Sequence, residues 1–313
     1  MPQPAASARA AVQRSLPLIQ KTDSVFLQKT GCVSCHNNTL AAVTVSTARK
    51  NGFEVSEQIA AQQKKIISSY VESWRDRLIQ GMGIPGNSDT VSYILMGMAA
   101  ENIPADPATD AMARFVKNQQ LPNGQWHILA HRPPIESNDI EVTAASLKSL
   151  RDYGPKTQRA EYEVAIRQAV DWLRQQKPNT NEERAFQLLG LRWGGIASAN
   201  DVVRKAAQDL IATQHADGGW AQLSTLSSDA YATGQALVAL KEAGIAANDP
   251  AFRKGIQYLV NTQLEDGSWY VKTRAFPIQP YFEGGFPHGR DQFISAAATN
   301  WAATALAVGG STR

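Results

Sequence analysis

The sequence predicts an all-α chain of six helical hairpins closed into one ring, and three observations predict it. A phrase recurs: KGIQYLVNTQLEDGSW from Lys254 to Trp269, KAAQDLIATQHADGGW from Lys205 to Trp220, and FVKNQQLPNGQW ending at Trp126. Aligned on the tryptophans, Gln263, Gln214 and Gln120 share one column, and Gly267, Gly218 and Gly124 another. Self-similarity of this kind marks a repeat architecture, with repeats over residues 110–126, 205–220 and 254–269. Helical segments also alternate in character. Outer ones are amphipathic with Lys, Arg and Glu, and inner ones are apolar nearly all round and rich in Ala and Gly, as helices buried on most sides are. Finally, the inner segments start alike, at Ser88-Asp89, Asn138-Asp139, Asn181-Glu182, Ser228-Asp229 and Arg290-Asp291. A hairpin lacks a core until it stacks on its neighbours, so residues 1–313 read as a single domain.

Hairpin one opens with a helix from about Ala6 to Lys29, carrying Leu16, Leu18, Ile19, Val25 and Phe26, with a kink expected at Pro17. CVSCH, Cys32 to His36, stands where its turn should be, and NNTLAAVTVSTARKNG follows as a helix ended by Gly52. Hairpin two has an outer helix from Val55 to Gln80, with Ile66, Ile67, Tyr70, Val71 and Trp74 at helical spacing, then the turn GMGIPGN. Hairpin three runs from Ala111 to Gln119 and through the loop LPNGQWHILAHRPPIE. Hairpin four, Arg159 to Gln176, loses the recurring turn to KPNTNEE. Hairpin five runs from Asp201 through Trp220. Hairpin six has the longest loop, Trp269 to Arg290, before ISAAATNWAATALA. Inner helices are expected near residues 37–51, 89–101, 139–152, 182–191, 229–243 and 291–308.

The net charge of +3, without a basic run, argues against nucleic acid as a partner. No apolar stretch is long and uncharged enough to span a bilayer. The opening MPQPAASARA has no apolar signal core.

The recurring phrase resembles the QW motif of the terpenoid cyclases: a basic residue, Gly or Ala, an aromatic-aliphatic pair, Gln, and G-x-W. Lys254, Gly255, Tyr258, Leu259, Gln263, Gly267 and Trp269 match every position. The second copy departs at Asp209. The third keeps Phe115, Val116, Gln120, Gly124 and Trp126 without the basic start. From Ala6 to Gly309 the chain is therefore similar to the superfamily of squalene-hopene cyclases and protein prenyltransferases, which implies an α/α toroid. Tryptophan over a helix end, glutamine on its free backbone groups and glycine in the turn are structural staples without chemistry. Class II terpene cyclases protonate substrate with D-x-D-D followed by Thr-Ala. Here Asp139-Ile140-Glu141-Val142 precedes Thr143-Ala144, so the resemblance implies Glu141 as the acid with Asp139 beside it, and Val142 replaces the last acid. The acids at the inner helix starts also read simply as caps. If the inner helices are parallel they form a ring of carboxylates around one end, and CVSCH lies at that same end.

Both cysteines of the chain lie in CVSCH, and three readings stay open. In covalent haem c attachment, Cys32 and Cys35 form thioethers and His36 ligates iron. In a zinc site, Cys32, Cys35 and His36 need one more ligand, and adjacent Cys and His resemble the lanthionine cyclases, which are also toroids with zinc. The third is a dithiol. Ring closure sets His288 beside His36 as the first choice of further ligand, with Met82 second. His127, His131 and His215 lie one hairpin further away. Haem attachment takes place outside the cytoplasm, so that reading expects a periplasmic or secreted chain with its leader removed; otherwise the chain is cytoplasmic. Four functions follow. One is a haem protein exchanging electrons with a redox partner or oxidising a small hydrophobic, isoprenoid-like substrate. Another is a zinc enzyme similar to lanthionine cyclases or prenyltransferases. The others are a class II cyclase-like enzyme using Asp139 and Glu141, and a helical scaffold for protein partners.

Overall fold

Polar caps decide where the helices begin. Asp106 accepts the backbone N–H groups of Ala108 and Thr109 ahead of Pro107, and Asp249 accepts that of Ala251 ahead of Pro250. Ser7, Ser56, Asn138, Thr180, Asn200 and Asp229 cap six others in the same way. The structure, a computed structural model, describes residues 2–277 and 280–310. Its described residues form α1 (Ala8–Thr30), α2 (Leu40–Lys50), α3 (Glu57–Ile79), α4 (Asn87–Ala100), α5 (Pro107–Asn118), α6 (Asp139–Tyr153), α7 (Arg159–Gln175), α8 (Asn181–Trp193), α9 (Asp201–Ile211), α10 (Ala230–Glu242), α11 (Pro250–Thr262) and α12 (Gln292–Gly309). The fold is all-α, a toroid of six hairpins. α1 continues through Pro17.

The even-numbered helices form the inner wall. α2 packs on α4, α4 on α6, α6 on α8, α8 on α10, α10 on α12, and α12 on α2, which closes the ring. The outer helices bury one stripe each; α9 buries only Val203, Ala207 and Leu210. Inner α12 is buried along nearly its whole length. Small residues allow this crowding. A Cβ on Gly234 of α10 would stand 2.6 Å from backbone atoms of Trp301 and Ala302, so only glycine permits that approach of α10 to α12. Across the ring, Phe186 of α8 meets Trp301 of α12 edge to face at 6.3 Å.

The three recurring turns make the same bonds. The indole N–H groups of Trp126, Trp220 and Trp269 donate to the carbonyls of Val116, Leu210 and Leu259, at the ends of their own outer helices. Their backbone N–H groups donate to Thr143, Thr233 and Thr299 on the inner helices. The glutamines reach further than their own helix ends. Gln120, Gln214 and Gln263 each donate to the turn glycine's carbonyl and to a carbonyl of the next outer helix, at Ala165, Ala251 and Ala11. Gln263 thereby ties the last hairpin to the first. In hairpin four, which lacks the turn, Gln187 of α8 holds the carbonyls of Leu173 and Gln176 instead.

Candidate active site

The turns joining outer to inner helices lie at one end of the ring, where the inner helices begin. Glu141 is the third residue of α6, and its backbone N–H donates to Asn138. Its side chain is fully buried. One carboxyl oxygen accepts the Tyr93 hydroxyl at 2.8 Å and the Glu136 N–H at 3.0 Å, and the other accepts the Ser137 N–H at 3.0 Å. Burial pushes Glu141 up to about 7, against the pull of these three donors.

Two neighbouring inner helices add an acid each. Asp89 of α4 is buried with neither oxygen hydrogen-bonded. Burial, then the charges of Glu141 and Glu136, push it well above the carboxylate range, with Arg132 opposing. Glu182 of α8 accepts the Tyr231 hydroxyl at 3.0 Å, and burial and the Glu141 charge raise it too. Glu136, in the loop before α6, is buried; it accepts the Cys35 thiol and pairs with Arg132 at 2.9 Å. Asp229 caps α10 and accepts Gln222 at 2.6 Å; burial raises it to about 6 despite both bonds. Arg274 approaches from the hairpin-six loop and donates to Gln222 at 2.6 Å.

The predicted ring of acids therefore divides. Asp139 turns outward, about 200° around the helix from Glu141. It holds its own loop, accepting the Ile128 N–H at 2.9 Å and Gln125 at 3.0 Å, with His127 at 3.2 Å. Asp291 likewise accepts the Tyr270 hydroxyl and the Thr273 N–H. The inward set is Asp89, Glu141 and Glu182.

The CVSCH segment enters the same end. Residues Cys35–Thr39 make a π-helical turn before α2. Cys35 is buried against Glu136, close enough to Asp89 for that charge to raise its thiol. Cys32 is exposed and neighbours Tyr70 of α3. The His36 ring stands edge-on between Phe26 at 5.5 Å and Phe293 at 5.0 Å, with Nε2 buried and unpartnered. Burial first, and then Arg132, push His36 down to about 3, so it is neutral. His288 Nε2 meets Ser268 Oγ at 2.7 Å, and Met82 is half exposed in the α3–α4 turn. Among the described residues no three His, Cys, Asp or Glu side chains stand close enough to share a metal ion, so Cys32, Cys35, His36 and His288 are not gathered into a zinc cage. For haem, the donor types fit: two thiols and an imidazole with a free Nε2. In this conformation the two thiols face different surroundings.

Tyr93, Tyr231, Glu136, Arg132 and Arg274 complete this end and were not predicted from the sequence. Tyrosines in helices otherwise built of small and aliphatic residues are the available signal, since a buried hydroxyl needs a partner.

Residues 183–288 match the family described as Squalene-hopene cyclase C-terminal domain. No curated protein matches the chain. Among solved structures, a crystal structure of a protein from Actinoplanes is similar with TM-score 0.62 at 15% identity, covering 97% of this chain and 100% of that one. The type II terpene cyclase MstE from Scytonema, as a variant in complex with the product merosterolic acid A, is similar with TM-score 0.62 at 14% identity over 96% of each chain. The ent-copalyl diphosphate synthase from Streptomyces platensis is similar with TM-score 0.56 at 17% identity, covering 87% of this chain and 51% of that one. The chain thus has the all-α toroid fold seen in the terpene cyclases, and the family match is confined to residues 183–288, about a third of its length.

Proposed function

We propose that the chain is a class II terpene cyclase-like enzyme in which Glu141 gives a proton to a carbon–carbon double bond of a small hydrophobic, prenyl-type substrate. The environment of Glu141 carries this reading. Burial keeps a proton on a fraction of the carboxyls near neutral pH, and three donors are already aimed at the anion that transfer leaves behind. Transfer turns the double bond into a carbocation and Glu141 into carboxylate. The balance closes when the final cation loses a proton to a base, or is captured by water that then loses one, and Glu141 is reprotonated from solvent. MstE, of the same fold, is known in complex with geranylgeranyl dihydroxybenzoate as substrate. Asp139 has no part in the transfer, because it faces its own loop. The test is turnover of geranylgeranyl-bearing substrates, followed by mass spectrometry, with Glu141→Gln beside the unaltered chain. The substitution should lower product formation by about 10²–10⁴-fold. Unchanged turnover by Glu141→Gln rules out Glu141 as the acid.

A second reading rests on one observation, the buried and unpartnered Nε2 of His36 beside two cysteines. In it Cys32 and Cys35 would hold haem c covalently and His36 would supply a ligand to the iron, which expects a chain outside the cytoplasm and a redox partner. Bound haem supplies one-electron chemistry. The His36 ring is neutral and held between two phenylalanines, with its Nε2 free of any partner. A pyridine haemochrome spectrum of chain produced with haem-attachment machinery decides it, and zinc analysis of the same sample covers the zinc alternative. A covalent haem band lost in Cys32→Ala/Cys35→Ala supports attachment; a colourless chain removes it.

A further inference from the structure

Glu136 stands in the left-handed region at φ +53°, and among the described residues other than glycine only Asn87, Asn102 and His288 join it there. Asparagine and histidine are enriched in that region, and glutamate is not. The conformation is costly for any residue with a Cβ, so the surroundings must hold it. The Glu136 side chain is buried and fastened twice. Oε1 accepts the Cys35 thiol of the first hairpin, and Oε2 pairs with Arg132 at 2.9 Å. Its carbonyl also accepts the Arg132 N–H at 3.0 Å. The turn so held sends the Glu136 N–H to one Glu141 oxygen and the Ser137 N–H to the other, both at 3.0 Å. Successive N–H groups arranged in this way form a concave seat for an anion.

We propose that Glu136 is a positioning residue for the acid: its side chain, clamped between Cys35 and Arg132, holds a left-handed turn whose two N–H groups seat the Glu141 carboxylate. The proposal rests on Glu141 as the proton donor. It assigns the role to the backbone of Glu136 and not to its charge. Without the clamp, nothing offsets the steric cost of positive φ for a residue with a Cβ, and the turn relaxes. Glycine adopts positive φ about as readily as negative, so it keeps the turn with no clamp at all. Losing the seat leaves the anion formed by proton transfer with the Tyr93 hydroxyl alone. Glu141 then becomes a weaker acid, because hydrogen bonds to a carboxylate favour its charged form. Burial raises Glu141 most, the two N–H groups lower it next, and the Glu136 charge raises it by less than either. Asp89 and Tyr93 from α4, and Glu182 and Tyr231 from α8, also face Glu141 and are the same in every variant below.

Glu136→Ala and Glu136→Gly in the full chain test this, because both remove the side chain and only glycine removes the steric cost. Infrared difference titration reads the Glu141 carboxyl, identified by its loss in Glu141→Gln, and needs no substrate. The midpoint, about 7 in the unaltered chain, should rise in Glu136→Ala and stay or fall in Glu136→Gly. A side chain needed only for its charge or its packing moves both variants alike. Turnover should drop about 10²-fold in Glu136→Ala, as when preorganised donors are lost, and recover at least tenfold in Glu136→Gly. A chain that makes no product yet shows the divergent midpoints would sink the cyclase reading and leave the hold of Glu136 on Glu141 standing. Equal midpoints in the two variants, or a rise in Glu136→Gly, would overturn the proposal. If Glu136→Ala does not fold, the glycine variant decides alone: a midpoint at or below that of the unaltered chain supports the seat, and a higher one removes it.

Discussion

The turns of hairpins three, five and six and the turn of hairpin one occupy the same place in the repeat and are built oppositely. In the first group each tryptophan N–H, each glutamine NH₂ and each turn glycine carbonyl has a partner, three times over. In CVSCH and the three residues after it, His36 Nε2, the Asn37 amide nitrogen and the Thr39 hydroxyl are buried with none. Unmet buried polar groups are costly, so a chain keeps them where something other than stability depends on them. The donors of the recurring turns are all met, although the Gln263 side-chain carbonyl oxygen is buried without a partner, whereas the first hairpin's turn and the neighbouring Asp89 leave several buried groups unmet.

The largest expected effect tests the first half of that contrast. Trp269→Ala should destabilise the fold by about 3–5 kcal/mol in denaturant titration, since it removes a buried ring at the closure between hairpins six and one. A loss under about 1 kcal/mol would mean the turn is not a staple. Gln214→Ala should cost about 1–3 kcal/mol, because it leaves the carbonyls of Gly218 and Ala251 without that donor. A smaller effect concerns Glu141. The folded chain holds this proton more tightly than the unfolded chain, so its contribution is full below the ordinary value of 4.5 and is lost as pH rises to about 7. Stability measured across that window should fall with pH, and fall less in Glu141→Gln. Equal slopes would contradict a buried, proton-retaining carboxyl. The smallest effect is Asp139→Asn, which should change stability by no more than about 1 kcal/mol, since the side chain is partly solvated. Its turnover should stay within a few-fold; a loss matching Glu141→Gln would erase the distinction between the two acids.

Helix number, helix order and ring closure were legible because they rest on periodicity and recurring turns, which are local signals. The inner helices begin within three residues of the expected starts. What the recurring glutamine holds was only half legible: its second partner lies on the next hairpin, 45 residues away for Gln120 and 252 for Gln263. The acids illustrate the same limit. Asp139 and Glu141 differ by two positions, yet one faces a loop and the other the ring, and only helix rotation separates them. Glu136 escaped notice because its partners, Cys35 and Arg132, come together only when hairpins one and three do.

The bond from Gln263 to Ala11 has a consequence for how the molecule comes apart. A linear stack of hairpins has two terminal units, which fray first and let unfolding spread inward. Here hairpin one is buttressed by hairpin six as well as by hairpin two, so no hairpin is terminal. Releasing any one of them breaks two interfaces at once, and what remains is an open arc with two exposed apolar faces. Amide exchange in the inner helices should therefore reflect a single cooperative opening, with protection in α2 and α12 as high as in α6 and α8.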